Sequence, residues 1–414
     1  MRRFFVPLFF ILSVTLPGSA AGPDDEVLTQ QIKAGIDLLN RTYWSPTLKI
    51  WFSQPGDDLR AYFDGRQNPS WWPSANAVEV LLDFMEATGT TTWQADIEAL
   101  YDLRKDPQRK AARVIEELKR RQQWSAADER KRESQQPAAA QAPAVNTGYY
   151  SDFQNEYLDD SGWWAVAWLK MYDRTHGGKY LVTAKTIHAH MAKNWRSGEG
   201  GIRWCEDADK QKANAITNNL FIILSARLYQ RTHDQTYLTW AEKTLEWCHA
   251  NGLYDGLAVV DGPGHHDDYW SYNQGTYIGG LAALYEATDR EAYLKEAIGV
   301  TDTVLHGAGF TLPDGVIVEK IGTTGDASLF KGILVRYLGQ VRDLLAARKL
   351  YPDTAREIDR CLRASAESLL KNRVGAGGAF PTEWHTDAQD RSTGFNAQTS
   401  ALAALVATLP RRHP

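Results

Sequence analysis

The sequence predicts an all-α chain folded as an (α/α)6 toroid of six helical hairpins. Three observations carry that expectation: a repeat of constant period, apolar residues at helical spacing ahead of each repeated turn, and small residues where helices must approach one another. The repeat reads Leu169-Lys-Met-Tyr172-Asp-Arg-Thr175 with Tyr180-Leu181, then Arg227-Leu-Tyr229-Gln-Arg-Thr232 with Tyr237-Leu238, then Ala283-Leu-Tyr285-Glu-Ala-Thr288 with Tyr293-Leu294. In each copy the second Tyr trails the first by eight residues, and the copies recur after 57 and 56 residues. Met85-Glu-Ala-Thr88 followed by Trp93 is a fainter copy. Trp164, Trp168, Met171 and Tyr172, and likewise Tyr277, Leu281, Leu284 and Tyr285, fall on one helical face. A hairpin cannot bury its own apolar face, so a fixed period of this length implies hairpins stacked on one another. Gly279, Gly280, Ala282 and Ala283 supply the small contact surface.

In chain order, residues 1–21 read as a signal peptide: Arg2-Arg3, an apolar stretch from Phe4 to Leu16, then Gly18-Ser19-Ala20-Ala21. Export to the periplasm or beyond is expected, with no membrane span in the mature chain, because no later segment is apolar for long enough. Residues 22–414 read as one catalytic-size domain. Inner helices are expected near 71–88, 160–175, 213–231, 272–288, 327–346 and 394–408, with outer partners near 26–42, 93–123, 179–195, 235–250, 290–306 and 353–371. From about 126 to 146 the chain is charged, then rich in Gln, Ala and Pro, and reads as a solvated, mobile insertion.

Composition narrows the function classes. A formal net charge of −5 argues against nucleic acid or another strongly anionic polymer as partner. Three cysteines, Cys205, Cys248 and Cys361, allow one bridge or none, and show no zinc-site spacing. His265-His266-Asp267-Asp268 lies in a Gly/Pro-rich turn and reads as a polar loop at a cleft rim, not as a metal cluster. Neither a metal nor an organic cofactor is expected, and a monomer is expected. Fifteen Trp and eighteen Tyr offer flat faces suited to sugar rings, although aromatics serve ordinary cores equally well.

Polar residues gather where the inner helices begin: Asp159-Asp160, Asn218-Asn219, Tyr272-Asn273-Gln274, Gly325-Asp326 and Asn396-Ala-Gln398. If the inner helices run parallel, these acids, amides and rings share one end of the toroid, a lining suited to a sugar cleft. An Asp at a helix start is most often a cap. One carboxylate suffices for that, so capping leaves the doubling unexplained. Asn218 and Asn219 equally suit the task of satisfying backbone groups between helices. Trp164 and Trp168 belong to the core stripe, whereas Trp163 lies off it beside the acids and is the better sugar platform.

The stretches Tyr157-Leu-Asp-Asp-Ser-Gly-Trp-Trp164 through Trp168, Asn214-Ala-Ile-Thr-Asn-Asn-Leu-Phe221, Trp270-Ser-Tyr-Asn-Gln-Gly275, Gly325-Asp-Ala-Ser-Leu-Phe-Lys-Gly332 with Arg336-Tyr337, and Ser392-Thr-Gly-Phe-Asn-Ala-Gln398 resemble, in order, glycoside hydrolase family 76. That family comprises endo-α-1,6-mannanases and fungal cell-wall transglycosidases. The resemblance implies an (α/α)6 barrel and a retaining mechanism on an α-mannan substrate, with Asp159 as nucleophile and Asp160 as acid/base. The expected substrate-binding residues are Trp163, Trp204, Asn218, Asn219, Tyr272, Asn273, Gln274, Asp326 and Lys331. Arg203 stands where relatives often carry a second Trp. Retention requires carboxyl groups about 5–5.5 Å apart, and neighbours in a regular helix point about 100° apart, so the pair is expected at the helix entry. Transglycosylation and non-catalytic glycan binding are the competing readings. Sparse His at the inner helix starts weighs against an epimerase.

Overall fold

The computed structural model describes residues 23–134, 151–256, 258–264 and 268–410. Helix α1 (Pro23–Tyr43) leads into a two-residue hairpin, β1 (Trp44–Ser45) against β2 (Ile50–Trp51), and a short α2 (Leu59–Phe63). Then follow α3 (Trp72–Thr88), α4 (Gln94–Lys105), α5 (Pro107–Arg120), α6 (Ala126–Ser134), α7 (Leu158–Thr175), α8 (Gly178–Lys193), α9 (Ala215–Thr232) and α10 (Gln235–Ala250). The chain continues through α11 (Ser271–Thr288), α12 (Glu291–Asp302), α13 (Ala327–Arg348), α14 (Pro352–Lys371) and α15 (Phe395–Ala407).

Six helices form a closed inner ring in which α3, α7, α9, α11, α13 and α15 each pack on the next and α15 returns to α3. Outer helices α8, α10, α12 and α14 pack on the inner helix that precedes each of them, and α1 packs on α15, so the two ends of the described chain close the toroid together. The inner helices are buried almost all round.

The repeat has a physical cause. Thr175, Thr232 and Thr288 return their hydroxyls to the carbonyls of Met171, Leu228 and Leu284 at 2.7, 2.8 and 2.7 Å. The next residue, His176, His233 or Asp289, is left-handed (φ 53°, 56° and 53°) and donates its N–H to the carbonyl of the first Tyr of the repeat. A left-handed residue just past the last turn stops a helix while satisfying its free carbonyls. Gly89 does the same in the faint copy, with φ 78°. The Thr oxygen then accepts the N–H two residues on, from Gly177, Asp234 or Arg290, which aims the chain into the outer helix.

Charge inside the ring ties three inner helices together. Arg336 of α13 donates to Asn76 and Glu79 of α3 at 2.7 and 3.0 Å, and Lys170 of α7 reaches Glu79 and Asp83 at 2.8 and 2.7 Å. Buried charges of this kind persist only when paired.

The structure departs from the expected elements in two places. The outer helix expected over 93–123 is two helices, because Pro107 lacks an N–H and disfavours helix at the residue before it; Asp106 caps the second helix through the Arg109 N–H at 2.9 Å. The insertion expected at about 126–146 begins as helix α6, anchored by Asp128, which accepts Arg60 at 2.9 Å and caps through Ser125. Residues 135–150, the expected signal peptide at 1–21 and His265-His266-Asp267 lie outside the described residues. Cys205, Cys248 and Cys361 are all free and buried. Among the described residues no helix is long and apolar enough to cross a membrane.

Close helix approach depends on missing side chains. A Cβ on Gly275 would lie 2.6 Å from the Leu334 Cα, and one on Gly279 2.3 Å from the Tyr337 ring. Gly275→Ala is expected to cost about 1–3 kcal/mol by overpacking, read as a lower urea midpoint. Gly178→Ala, whose Cβ meets nothing within 4 Å, serves as the neutral control.

Candidate active site

The acid pair sits where α7 begins. Tyr157 enters in extended geometry (φ −91°, ψ 115°), and the Leu158 N–H is held by the Trp204 carbonyl at 2.9 Å, which lays the first turn against the loop between α8 and α9. Asp159 and Asp160 both line a cavity of about 820 Å³ at this end of the ring. The Asp159 Oδ1 accepts the Asp160 N–H at 3.0 Å, while its Oδ2 accepts the Trp204 indole N–H at 3.0 Å. The Asp160 Oδ2 accepts the Asn155 amide at 2.7 Å.

These partners separate two chemically identical groups. Burial pushes the Asp159 carboxyl up to about 7; the Asp160 N–H and Trp204 hold it down, and the charge of Asp261 adds to the rise. Asp160 stands well above its ordinary value, first from burial and then from the charge of Asp159, with the Asn155 amide opposing and Asp326 and Glu156 adding. Two donors on the Asp159 oxygens against one on Asp160 favour the anion at Asp159 and the proton at Asp160. The positive end of α7 favours an anion here.

Aromatic rings build one wall. Trp163 lies 6.1 Å from Trp72, Trp72 6.4 Å from Phe330, and Phe330 stacks flat on Tyr272 at 3.8 Å and 7°. Burial, followed by the charges of Asp261, Asp159 and Asp326, keeps the Tyr272 phenol protonated. Asp326 also lines the cavity, its carboxyl raised by burial and held down by Trp72.

Of the expected substrate-binding residues, Trp163, Trp204, Tyr272 and Asp326 reach the cavity. Trp163 is only 2 % exposed and lies against Trp72, so Trp72 presents the freer face. Asn218, Asn219, Asn273, Gln274 and Lys331 are buried away from it. The Asn218 amide takes both the N–H and the carbonyl of Ile202 at 2.8 and 3.1 Å, and Gln274 does the same to Val259 at 2.8 and 2.7 Å. Gln398 repeats the clamp on Phe380 at 3.2 and 2.7 Å. Each is the fourth residue of its helix, pinning the loop that precedes it. Asn219 joins α9 to α11 through the Asn273 carbonyl and Thr276, each at 3.2 Å. Asn273 holds the Asp261 carboxylate at 2.9 Å. Lys331 donates to the Thr382 carbonyl at 2.8 Å over the Trp384 ring, and burial lowers its ammonium to about 8.

The sequence reading missed Trp72, Tyr157, Phe330 and Asp261 in the wall and Asn155 beside the acids. Trp72 and Tyr157 carried a usable signal, since each sits at an inner helix start. Among the described residues no group of three His, Cys, Asp or Glu could hold a metal ion.

The family model for glycosyl hydrolase family 76 matches residues 40–414. The chain is 27% identical over 281 residues to mannan endo-1,6-alpha-mannosidase DCW1 of Saccharomyces cerevisiae, covering 60% of each chain. It is 28% identical over 276 residues to mannan endo-1,6-alpha-mannosidase DFG5 of the same yeast, covering 60% of this chain and 58% of that one. The chain thus spans about 60% of the length of these curated relatives. Among solved structures it resembles an inactive variant of an alpha-1,6-mannanase of Salegentibacter sp. HEL1_6, two consecutive aspartates replaced, in complex with alpha-1,6-mannotetrose. The TM-score is 0.70 at 22% identity, covering 92% of this chain and 98% of that one. Dfg5 of Chaetomium thermophilum in complex with glucosamine gives a TM-score of 0.66 at 21% identity over 93% and 90%. With the family model spanning nearly the whole chain and the acid pair at the head of an inner helix, this protein belongs to glycosyl hydrolase family 76.

Proposed function

We propose that the protein is an exported, endo-acting, retaining glycoside hydrolase that cleaves α-1,6-mannosidic linkages in mannan-type polysaccharides. The observation that carries this reading is the pair of adjacent carboxyl groups, ordered in ionisation, on the wall of an aromatic-lined cavity. The names of the curated relatives and the mannotetrose-bound mannanase support the substrate class.

In this mechanism Asp159 attacks the anomeric carbon as Asp160 gives its proton to the departing glycosidic oxygen. The Asp160 carboxylate then takes a proton from water, whose oxygen displaces Asp159 from the same carbon. Trp204 and the Asp160 N–H hold the two Asp159 oxygens in place for attack. Trp72 and Tyr272 offer ring faces to the sugar.

Asp159→Asn and Asp160→Asn are each expected to lower release of reducing ends from linear α-1,6-mannan by about 10³–10⁴-fold; a fully active Asp159→Asn protein overturns the reading. Products longer than a defined donor oligosaccharide would reassign the enzyme to glycan transfer.

Activity needs Asp159 ionised and Asp160 protonated, so kcat/KM should fall as pH drops through about 7 and fall again at higher pH as Asp160 ionises. Trp204→Phe removes a donor to a charged oxygen, so kcat should drop about 10–100-fold and the acid limb should move to higher pH.

The raised Asp160 carboxyl also costs stability. The unfolded chain ionises near the ordinary 3.8 while the folded chain holds its proton, so stability declines as pH rises above that value until the folded group ionises. Asp160→Asn should therefore match the wild-type Tm near pH 3 and exceed it by several degrees at pH 7.

A further inference from the structure

Asp160 receives a directed hydrogen bond from a residue outside its own helix, and that residue is mounted with unusual care. Asn155 is 8 % exposed, in the segment that leads into α7. Its backbone N–H donates to the Ser161 Oγ at 3.2 Å, and its side-chain Oδ1 faces the Ser161 hydroxyl at 3.4 Å, which has the Tyr157 carbonyl as a second acceptor at 3.4 Å. With Oδ1 turned to Ser161, the amide nitrogen is left for Asp160, 2.7 Å away.

Ser161 is the fourth residue of α7, the place held by Asn218 in α9, Gln274 in α11 and Gln398 in α15. Those amides pin apolar residues, Ile202, Val259 and Phe380. Only in α7, of these four helices, is the pinned residue an amide, and that is the helix bearing the acids.

We infer that Asn155 is the positioning residue for the acid/base. It fixes the Asp160 Oδ2 as an acceptor, so that the transferable proton rides on Oδ1. An N–H donor lowers the proton affinity of the oxygen it meets, so the proton settles on the other one. When the proton leaves, the same N–H stabilises the new carboxylate. The inference rests on the reading of Asp160 as acid/base. The charges acting most strongly on Asp160 are all negative: Asp159 on α7, Glu156 just before it and Asp326 at the head of α13. The Asn155 amide is thus the neutral counterweight to three acids.

The test follows Asp160 directly. In protein labelled with 13Cγ-aspartate, the resonance lost in Asp160→Asn is titrated in wild type, Asn155→Ala and Asn155→Asp. The Asp variant keeps the acceptor toward Ser161, so it guards against a failure to fold. Loss of the donor should raise the Asp160 titration by about one pH unit in Asn155→Ala, and by more in Asn155→Asp, which adds a negative charge. The turnover of α-1,6-mannan should drop about 10–100-fold with KM little changed. The kcat/KM of a dinitrophenyl α-mannooligosaccharide, which reports only the glycosylation step and whose leaving group needs no proton, should hold. An unchanged titration in both variants, or an equal loss of kcat/KM on both substrates, overturns the inference. If the wild type releases nothing from α-mannan, the proposed reaction falls, while the titration still decides whether Asn155 governs Asp160.

Discussion

The constraint on which the molecule depends is directional. Because a returning outer segment separates each inner helix from the next, the six inner helices run parallel and begin at the same rim. Parallel alignment brings six positive helix ends together, an unfavourable arrangement that the antiparallel outer helices offset. At that rim the chain places Asp159, Asp160, Asp261 and Asp326 around one cavity. Lower in the ring, Glu79, Asp83, Lys170 and Arg336 hold α3, α7 and α13 in register. Negative charge at the rim thus has a structural origin before it has a chemical use.

The pair Asp159-Asp160 shows how position alone divides labour. Both are aspartates, both are desolvated, and they are neighbours in sequence. One has a donor on each oxygen and one opposing acid, Asp261; the other has a donor on one oxygen and three opposing acids. That difference favours the anion at Asp159 with no difference in residue type. It also explains why the doubling visible in the sequence exceeds what a helix cap requires.

Much of the fold was legible because it repeats. The Thr-then-left-handed turn is local chemistry, so its period survives in the sequence as Tyr172, Tyr229 and Tyr285. Asp159 and Asp160 were legible because a doubled acid at a helix start is unusual. The amides misled, since a polar residue at a helix start looks the same whether it faces a cleft or the loop before it. Asn218 and Gln274 turn to the loop because a buried peptide group there must be satisfied, and periodicity does not encode that choice. Lys331 misled for the same reason, its ammonium closing on the Thr382 carbonyl. Asp261 was invisible because its place in the cavity is set by Asn273, twelve residues on, in the next helix.

The amide clamps carry an evolutionary corollary. In each clamp Asn218, Gln274 and Gln398 read only main-chain atoms of the docked loop residue, and Asn218 and Gln274 also reach the carbonyls of Asn214 and Trp270 at the helix start. Any amino acid with an N–H can stand at the docked position as far as the clamp is concerned, and flanking positions are freer still. Substitutions in the rim loops can therefore reshape the groove while the scaffold beneath stays in place, a separation of adaptable mouth from fixed frame.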